Sequence, residues 1–437
     1  MTSAPTSHAQ GLIDFVVGSP TSYHAAATAR DALVAAGFTE LDETRAWDLE
    51  PGGRYVVVRE GSLAAWAIPS TLPESTAFTI VGTHTDSPAF KLKPLPDFTH
   101  EGANQVGVEI YGGPILNSWL DRELCFAGRL ALTDGRVVLA HTEPIGRIPQ
   151  LAIHLDRSAN EKLMLDKQQH TQPIIGLEHI TGSADNASAS SLVLGLLAES
   201  AGVTAEQIAG YDVHTIPAER PALFGAHREF LASPRLDNLA SVYPAVTALA
   251  AVDPDAITSV ALLAAFDHEE VGSGTRSGAS GPILSDITHR IVEALHPGST
   301  RPAEDYLRAI AASVCISSDA GHAVHPNFPG HHDPVVRPHL GAGPLLKINA
   351  QQRYATDALG TAVWERACAA AGVHSQPFVS KNTMPCGTTI GPLTAQRLGV
   401  TTVDVGPALW SMHSAREMCA VADIAALHDA LAQAFRR

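Results

Sequence analysis

The chain has 437 residues, 45% of them hydrophobic and 17% charged. This balance is typical of a globular protein with a large core, and no apolar run approaches the roughly 20 residues of a membrane span. The formal net charge of −16 disfavours nucleic acid and anionic membranes as partners. The five cysteines form no CxxC pair and the start, MTSAPTSHAQ, lacks a signal-peptide pattern. We therefore expect a cytoplasmic protein without a disulfide framework or a thiolate zinc site.

In chain order, the pattern first predicts helical structure over 14–37, with Ser22 as a candidate N-cap. Three strands follow, at Tyr55–Arg59, Leu63–Ile68 and Phe78–Thr83. From Pro94 to about Pro234 the segments are short, β-rich and separated by turn residues, apart from one predicted helix at 187–201. After Pro234, helices and strands alternate. The helices are predicted at 238–252, 356–371 and 422–435, and the strands at 260–266, 314–317, 345–348 and 401–405.

Such alternation favours an α/β fold in which helices cover a mixed β-sheet. We predict that this domain consists of two pieces, residues 1–92 and 233–437. A β-rich domain, residues 93–232, is inserted between them. The longest irregular stretch, His325–Pro344, is rich in Pro, Gly and His and is a candidate active-site loop.

Polar side chains follow several of the predicted strands. His84 and Asp86 end the segment TIVGTHTD, where residues two apart face the same way. Glu269 and Glu270 follow the apolar run ALLAAF, and two adjacent carboxylates at the end of a buried strand are costly without a cation. Either cluster alone is also consistent with a solvated turn. The glycine-rich run after Glu270 matches neither GxGxxG nor GxSxG, which disfavours nucleotide binding and serine hydrolysis here.

Three further candidates lie in the second half of the chain. Asp319 and His322 follow a predicted strand, and His413 follows another after a Gly-Pro turn. Asp237 precedes a helix, where an N-cap is the simpler interpretation. Together, these His, Asp and Glu residues supply the nitrogen and oxygen ligands that are typical of a two-metal hydrolase, in which one carboxylate bridges the ions. The one-zinc motif HExxH is absent.

The sequence resembles the aspartyl aminopeptidases, which are cocatalytic two-zinc exopeptidases. The resemblance covers nearly the whole chain and rests on motifs in one order: GTHTDSPAFKLKP, WLDRELCFAGR, IPQLAIHLDR, RLDNL, FDHEEVGS, SSDAGHAVHPN, GPLLKINAQQRYAT, MPCGTTIGP and MHSAREM. It implies two zinc ions per subunit, with Co²⁺ or Mn²⁺ as possible substitutes. The implied ligands are His84, Asp319 and Asp237 for one ion, and Glu270, His413 and Asp237 for the other.

The resemblance also implies roles for residues that do not bind metal. Asp86 would orient His84, Glu269 would be the general base and His322 would stabilise the oxyanion. Lys347 would recognise an acidic substrate side chain. His154, which we expect on a strand, would reach the active site of a neighbouring subunit.

Further expectations follow from the same resemblance. The peptide bond Asp237–Asn238 is expected to be cis, the inserted domain to mediate dimerisation, and the protein to assemble as a tetrahedral homododecamer built from dimers. The substrates would be peptides with acidic N-termini. The chain departs from the family pattern at Thr383, where we expect an acidic residue.

Two other functions remain open from the sequence. A metal-dependent deacylase or carboxypeptidase could use the same scaffold, and a substrate with a blocked N-terminus separates these from an aminopeptidase. A non-catalytic binding or shell protein could retain the fold, although the complete ligand set and Glu269 argue against it.

Overall fold

The computed structural model describes residues 4–73, 76–181 and 191–437, and they fall into two compact units. The first unit contains the described residues up to Asp86 together with Ala222–Met412 and Glu417–Arg437, and the second contains Ser87–Pro221 and His413–Arg416. The units divide after Asp86 and after Pro221, whereas the predicted domain boundaries lie after residues 92 and 232. Both predicted boundaries fall within continuous strands. Among the described residues, no helix has the length and hydropathy needed to cross a membrane.

The helices and strands of the described chain are as follows. The helices are α1 (Ala4–Gly18), α2 (Ser22–Ala35), α3 (Glu178–Thr181), α4 (Leu192–Ser200), α5 (Leu236–Ala250), α6 (Ile283–Leu295), α7 (Pro302–Ala311), α8 (Ala358–Ala371), α9 (Ile390–Leu398) and α10 (Val421–Ala434). The strands up to the end of the second unit's main segment are β1 (Thr39–Glu40), β2 (Arg54–Arg59), β3 (Ser62–Ala67), β4 (Phe78–His84), β5 (Ala89–His100), β6 (Ala103–Tyr111), β7 (Glu123–Leu132), β8 (Val137–His141), β9 (Gly146–Arg147), β10 (Ile174–Leu177) and β11 (Ile208–Pro217). The remaining strands are β12 (Ala222–Phe224), β13 (Phe230–Ser233), β14 (Val260–Phe266), β15 (Val314–Ser318), β16 (Gly321–His322), β17 (Leu345–Lys347), β18 (Gln376–Phe378), β19 (Thr401–Gly406), β20 (Ala408–Trp410) and β21 (Glu417–Ala420).

The first unit is built on a mixed sheet with strand order β1-β2-β3-β14-β4-β15-β19-β17-β18. Its four central strands, β14, β4, β15 and β19, are parallel, whereas β3 and β17 run antiparallel to their inner neighbours. A smaller sheet has the order β12-β13-β21-β20-β16. The predicted fold class, a helix-covered mixed sheet, is confirmed for this unit.

Alternate residues of the central strands pack into two different hydrophobic clusters. Val81 and Leu263 pack with the helices α5 and α10, while the adjacent Ile80 and Leu262 pack with α6 on the other face. Because both faces are covered, these strands are apolar almost throughout. The continuous apolar run of β14 therefore marked the strand in the sequence, and its observed bounds, Val260–Phe266, are the predicted ones.

The second unit is an antiparallel β-structure. Strand β11 pairs with both β5 and β7, so that β11, β5, β6, β10, β9 and β7 form a closed ring with β8 attached to β7. Apolar side chains of the ring enclose a separate core, against which helix α4 packs. The predicted β-rich character of the insertion is therefore observed.

Local predictions for two segments differ from the structure. Helical structure over 14–37 is interrupted, because the Ser19-Pro20 pair separates α1 from α2; Thr21 is the N-cap of α2, and Ser22 is its first residue. His154 lies in an exposed turn instead of a strand, since its segment has no partner strand and bonds locally, from the Leu155 N–H to the Ala152 carbonyl. The predicted helix at 187–201 corresponds to α4, and its first four residues lie outside the described residues.

Candidate active site

The candidate site lies at the carboxyl ends of the central parallel strands of the first unit. His84 is the last residue of β4 and pairs in register with Phe266, the last residue of β14. The Glu269–Glu270 pair follows β14, and Asp319 directly follows β15. Ligand sites in open α/β sheets lie at this edge, because the loops after parallel strands converge there.

The imidazole of His84 is buried and faces three carboxylates. Its Nε2 atom lies 3.2 Å from both Asp237 Oδ1 and Asp319 Oδ1. Its Nδ1 atom donates to the backbone carbonyl of Asp86 at 3.0 Å. Burial opposes protonation, but hydrogen bonds to Asp237, Asp319 and Asp86 outweigh it and raise the pKa of His84 well above its ordinary value. The carboxylates around this imidazole therefore favour a positive charge there.

Asp86 connects the end of β4 to the residues after β14. Its Oδ1 atom accepts the backbone N–H of Glu269 at 3.0 Å, and its Oδ2 atom accepts that of Glu270 at 3.1 Å. Asp86 also lies beside His84 Nδ1, at 3.4 Å. One buried carboxylate thus positions the predicted base, a predicted metal ligand and the histidine together.

The carboxyl groups of Glu269 and Glu270 lie close to His84. Each of the three residues offers one ligand atom, and these atoms lie within 4.8 Å of one another. Burial raises the pKa of Glu269 to about 8, with His84 opposing the shift and Asp319, Asp237 and Asp86 adding to it. Cations in the site would lower this pKa, because they favour the charged form.

Asp237 occupies a non-helical turn at the start of α5. Its peptide bond to Asn238 is cis, which confirms the prediction. The Asp237 N–H donates to Glu417 Oε2 at 2.9 Å, and Asn238 Nδ2 donates to the Ser318 carbonyl at 2.9 Å. These bonds fix Asp237 next to Asp319.

Asp319 lies between the histidine and a buried lysine. Its Oδ1 atom faces His84, and its Oδ2 atom accepts a hydrogen bond from Lys347 Nζ at 3.1 Å. Lys347 also donates to the Ala320 carbonyl at 2.9 Å, and only 1% of the residue is exposed. Lys347 therefore contacts a predicted metal ligand directly, which the sequence did not indicate.

The other predicted residues have different surroundings. His322 lies on β16, is exposed, and has its ring 6.3 Å from that of Phe378. His413 belongs to the short segment grouped with the second unit, where its Nδ1 atom donates to the Gly113 carbonyl at 3.0 Å. His154 is in the second unit, in the exposed turn described above.

The residues of the first unit fit a metal ion. His84, Asp237 and Asp319 each offer one ligand atom within 4.8 Å of the others. Two ligands about 2.0–2.2 Å from one tetrahedral zinc ion are roughly 3.3 Å apart, close to the 3.2 Å between His84 Nε2 and each aspartate oxygen. Five acidic groups, of which Asp86, Asp237 and Asp319 are buried, meet one lysine and one histidine here, and a bound cation would offset this excess of negative charge.

Two buried carboxylates near the site escaped the sequence analysis. Glu417 accepts the Asp237 N–H. Asp404 is fully buried opposite Lys347 in the β17–β19 pair and accepts hydrogen bonds from Thr389 Oγ1 and the Ala355 N–H, both at 2.6 Å. A single acidic residue within the apolar strand TTVDVG was the signal for Asp404.

Gly406, at the end of β19, is a further structural requirement. Its φ is +151°, and a Cβ atom there would lie 1.8 Å from the Asp319 carbonyl oxygen. Only glycine fits this position without displacing Asp319.

Comparison with known proteins places this chain in a family. A relative from Streptomyces avermitilis, named "Probable M18 family aminopeptidase 2", is 50% identical over 421 residues, covering 95% of this chain and 94% of the relative. A cryo-electron microscopy structure of an Ape4–Nbr1 complex has a TM-score of 0.93 at 35% identity, covering 99% of this chain and 86% of that one. A structure described as the S. cerevisiae mApe1 dodecamer has a TM-score of 0.82 at 27% identity, covering 97% and 95%.

The model of the family described as "Aminopeptidase I zinc metalloprotease (M18)" matches residues 15–435. The match confirms the resemblance to the aspartyl aminopeptidases. The chain belongs to the M18 family of zinc metalloprotease aminopeptidases.

Proposed function

We propose that this aminopeptidase removes acidic residues, Asp or Glu, from the N-termini of peptides and uses two zinc ions to do so. The observation that carries the proposal is the convergence of His84, Asp237 and Asp319 at the strand ends, with Glu269 and Glu270 beside His84. A paired metal site needs nitrogen and oxygen ligands around a shared carboxylate, and these residues supply them.

In the proposed site, His84, Asp319 and Asp237 would hold one ion, and Glu270, His413 and Asp237 would hold the second. Because His413 Nδ1 donates to the Gly113 carbonyl, its Nε2 atom is the nitrogen available as a ligand. Bound zinc supplies a Lewis acid and makes water nucleophilic at neutral pH.

The chain's own residues then move the protons. Glu269 accepts a proton from the attacking water and returns it to the leaving amine, as a general base and then a general acid. Asp86 positions Glu269 through its backbone N–H. His322, at the exposed end of β16, donates a hydrogen bond to the oxyanion that develops on the scissile carbonyl.

The proposed preference for acidic N-termini rests on local charge. A chain with a net charge of −16 repels an acidic peptide, so its site needs a local cation. Lys347 lies beside Asp319 and supplies one, and His154 of a neighbouring subunit completes the pocket. The family position held here by Thr383 lies in an exposed turn.

Assembly into a dimer-based homododecamer is part of the proposal. One structural relative is described as a dodecamer. The segment around His154 exposes Leu151, Leu155 and Met164, whose exposed fractions are 63%, 75% and 70%. Exposed apolar side chains in such a density mark interaction surfaces. We therefore assign dimerisation to the second unit.

All five cysteines are free thiols, in keeping with the reducing environment of the cytoplasm.

A panel of aminoacyl reporter substrates tests this function. The metal-free protein, reloaded with zinc, cobalt or manganese, should cleave Asp and Glu reporters faster than Ala or Leu reporters. An N-acetylated Asp reporter should remain intact, because recognition requires the free amine. Preferential cleavage of the acetylated substrate would instead indicate a deacylase. Two zinc ions per chain without turnover on any reporter would indicate a binding protein.

A further inference from the structure

A second cluster of metal-binding side chains lies where the first helix packs against the last. His8 is on α1, and His428 and Asp429 are adjacent on α10. One ligand atom of each lies within 4.8 Å of the others. None of the three belongs to the candidate active site.

The side chains of the cluster are in contact with one another. The two imidazole rings are 4.3 Å apart between centroids, with a tilt of 40°. His428 Nδ1 lies 3.0 Å from Asp429 Oδ1. This is a hydrogen-bonding distance. Ligand atoms on one tetrahedral zinc ion are roughly 3.3 Å apart, so a small adjustment lets this nitrogen and oxygen bind the same ion.

His8 has an unusual environment for a histidine. Its Nδ1 atom is buried and has no hydrogen-bond partner among the described residues. Burial and the neighbouring His428 lower the pKa of His8, with Asp429 opposing. The side chains of His428 and Asp429 are 18% and 57% exposed, so an ion can enter from solvent.

We propose that His8, His428 and Asp429 bind one divalent transition-metal ion, such as Zn²⁺, and thereby join α1 to α10. Two imidazoles and one carboxylate suit zinc and its neighbours in the first transition row, and water completes the coordination. Because α1 and α10 pack in the same hydrophobic cluster, the ion would fasten two segments from opposite ends of the chain. It would bind the folded state only, and so would stabilise it.

The test measures zinc content rather than activity. The zinc-loaded enzyme and three variants, His8→Gln, His428→Gln and Asp429→Asn, are dialysed against the same free zinc concentration, and bound zinc is counted per chain. The variant His289→Gln is the matched control, since His289 also pairs with a carboxylate on its own helix, Glu293, at 4.0 Å.

The wild type and the control should retain one more zinc ion per chain than either histidine variant. Added zinc should raise the melting temperature of the wild type by on the order of 2 °C more than that of the histidine variants, which keep the active-site ligands. Asp429→Asn changes an exposed side chain, carries little folding risk and should weaken zinc binding at this site. Equal zinc content in the wild type and all three variants would overturn the proposal.

Discussion

Lys347 Nζ and Asp319 Oδ2 lie 3.1 Å apart, and the lysine is almost completely buried. Lys347→Met should therefore lower kcat/KM on every reporter, because Asp319 loses its partner. It should lower kcat/KM about tenfold further on Asp and Glu reporters than on Ala reporters, since a hydrogen bond to a charged group contributes roughly 1.5–3 kcal/mol. An equal loss on all reporters, with reduced zinc content, would show that Lys347 only holds Asp319.

Replacement of the proposed base separates chemistry from metal binding. Glu269→Gln should keep the zinc content of the wild type and lose turnover by roughly 10²–10⁴-fold, as general-base removal typically does. Glu270→Gln is the paired variant and should lose zinc as well as turnover. Substantial activity in Glu269→Gln would exclude Glu269 as the base.

Gly406→Ala tests how closely the backbone confines Asp319. The new Cβ would meet the Asp319 carbonyl, so we expect a loss of about 1–3 kcal/mol in the free energy of unfolding and reduced zinc content. The control is Gly399→Ala, because Gly399 also has a positive φ, +73°, but open space around its Cβ position. Gly399→Ala should lose some stability and no zinc. Normal zinc content in both variants would contradict the prediction.

The pH dependence of stability should reveal Asp423, in the first turn of α10. Burial raises the pKa of this carboxyl to about 6, although it accepts the N–H groups of Gly341 and Gly343. The unfolded chain releases this proton near 3.9. Between the two values the native state binds more protons, so its stability falls as the pH rises, by roughly 2–3 kcal/mol in total.

The variant Asp423→Asn lacks this titration. The difference in unfolding free energy between the wild type and the variant should therefore decrease between about pH 4 and pH 7. Denaturant titrations at a series of pH values measure it. A difference that stays constant across the range would show that Asp423 titrates alike in the folded and unfolded states.

Subunit mixing tests the role of His154. His154→Ala and Glu269→Gln should each have low activity alone. If His154 serves the neighbouring active site, some mixed dimers carry both changes at one site and an intact second site. Activity should then return, to about one quarter of the wild-type value with random exchange of subunits. No recovery of activity after proven exchange of subunits, or full activity of His154→Ala alone, would refute a shared site.

Much of the fold could be predicted because its central strands are buried on both faces. Strand β14 is apolar from Val260 to Phe266, and its polar successors lie at the predicted edge. His84, Glu270 and Asp319, at or after the ends of these strands, were therefore visible as candidates, and the family resemblance implied their shared role. Lys347 is different, because its contact with Asp319 depends on the pairing of β17 with β19, which no local pattern encodes.

The sequence was less informative wherever tertiary contacts decide the structure. The segment around His154 has the alternation of a strand but no neighbour with which to pair, so it forms turns. Glu417 and Asp404 act on residues distant in sequence, Asp237 and Ala355. Helix α6 repeats apolar residues every three or four positions, which is the spacing of an amphipathic helix.

The position of the second unit within the chain has a consequence for synthesis. Strand β4 pairs with β14 and β15, and both are translated only after Ser87–Pro221. At a translation rate of about 5–20 residues per second, roughly 10–40 s separate the synthesis of Phe78 from that of its pairing partner Val260. During that interval an apolar, β-branched segment has unpaired backbone groups and can associate with other nascent chains. The rate of translation and the access of chaperones during this interval therefore bear directly on the yield of native enzyme.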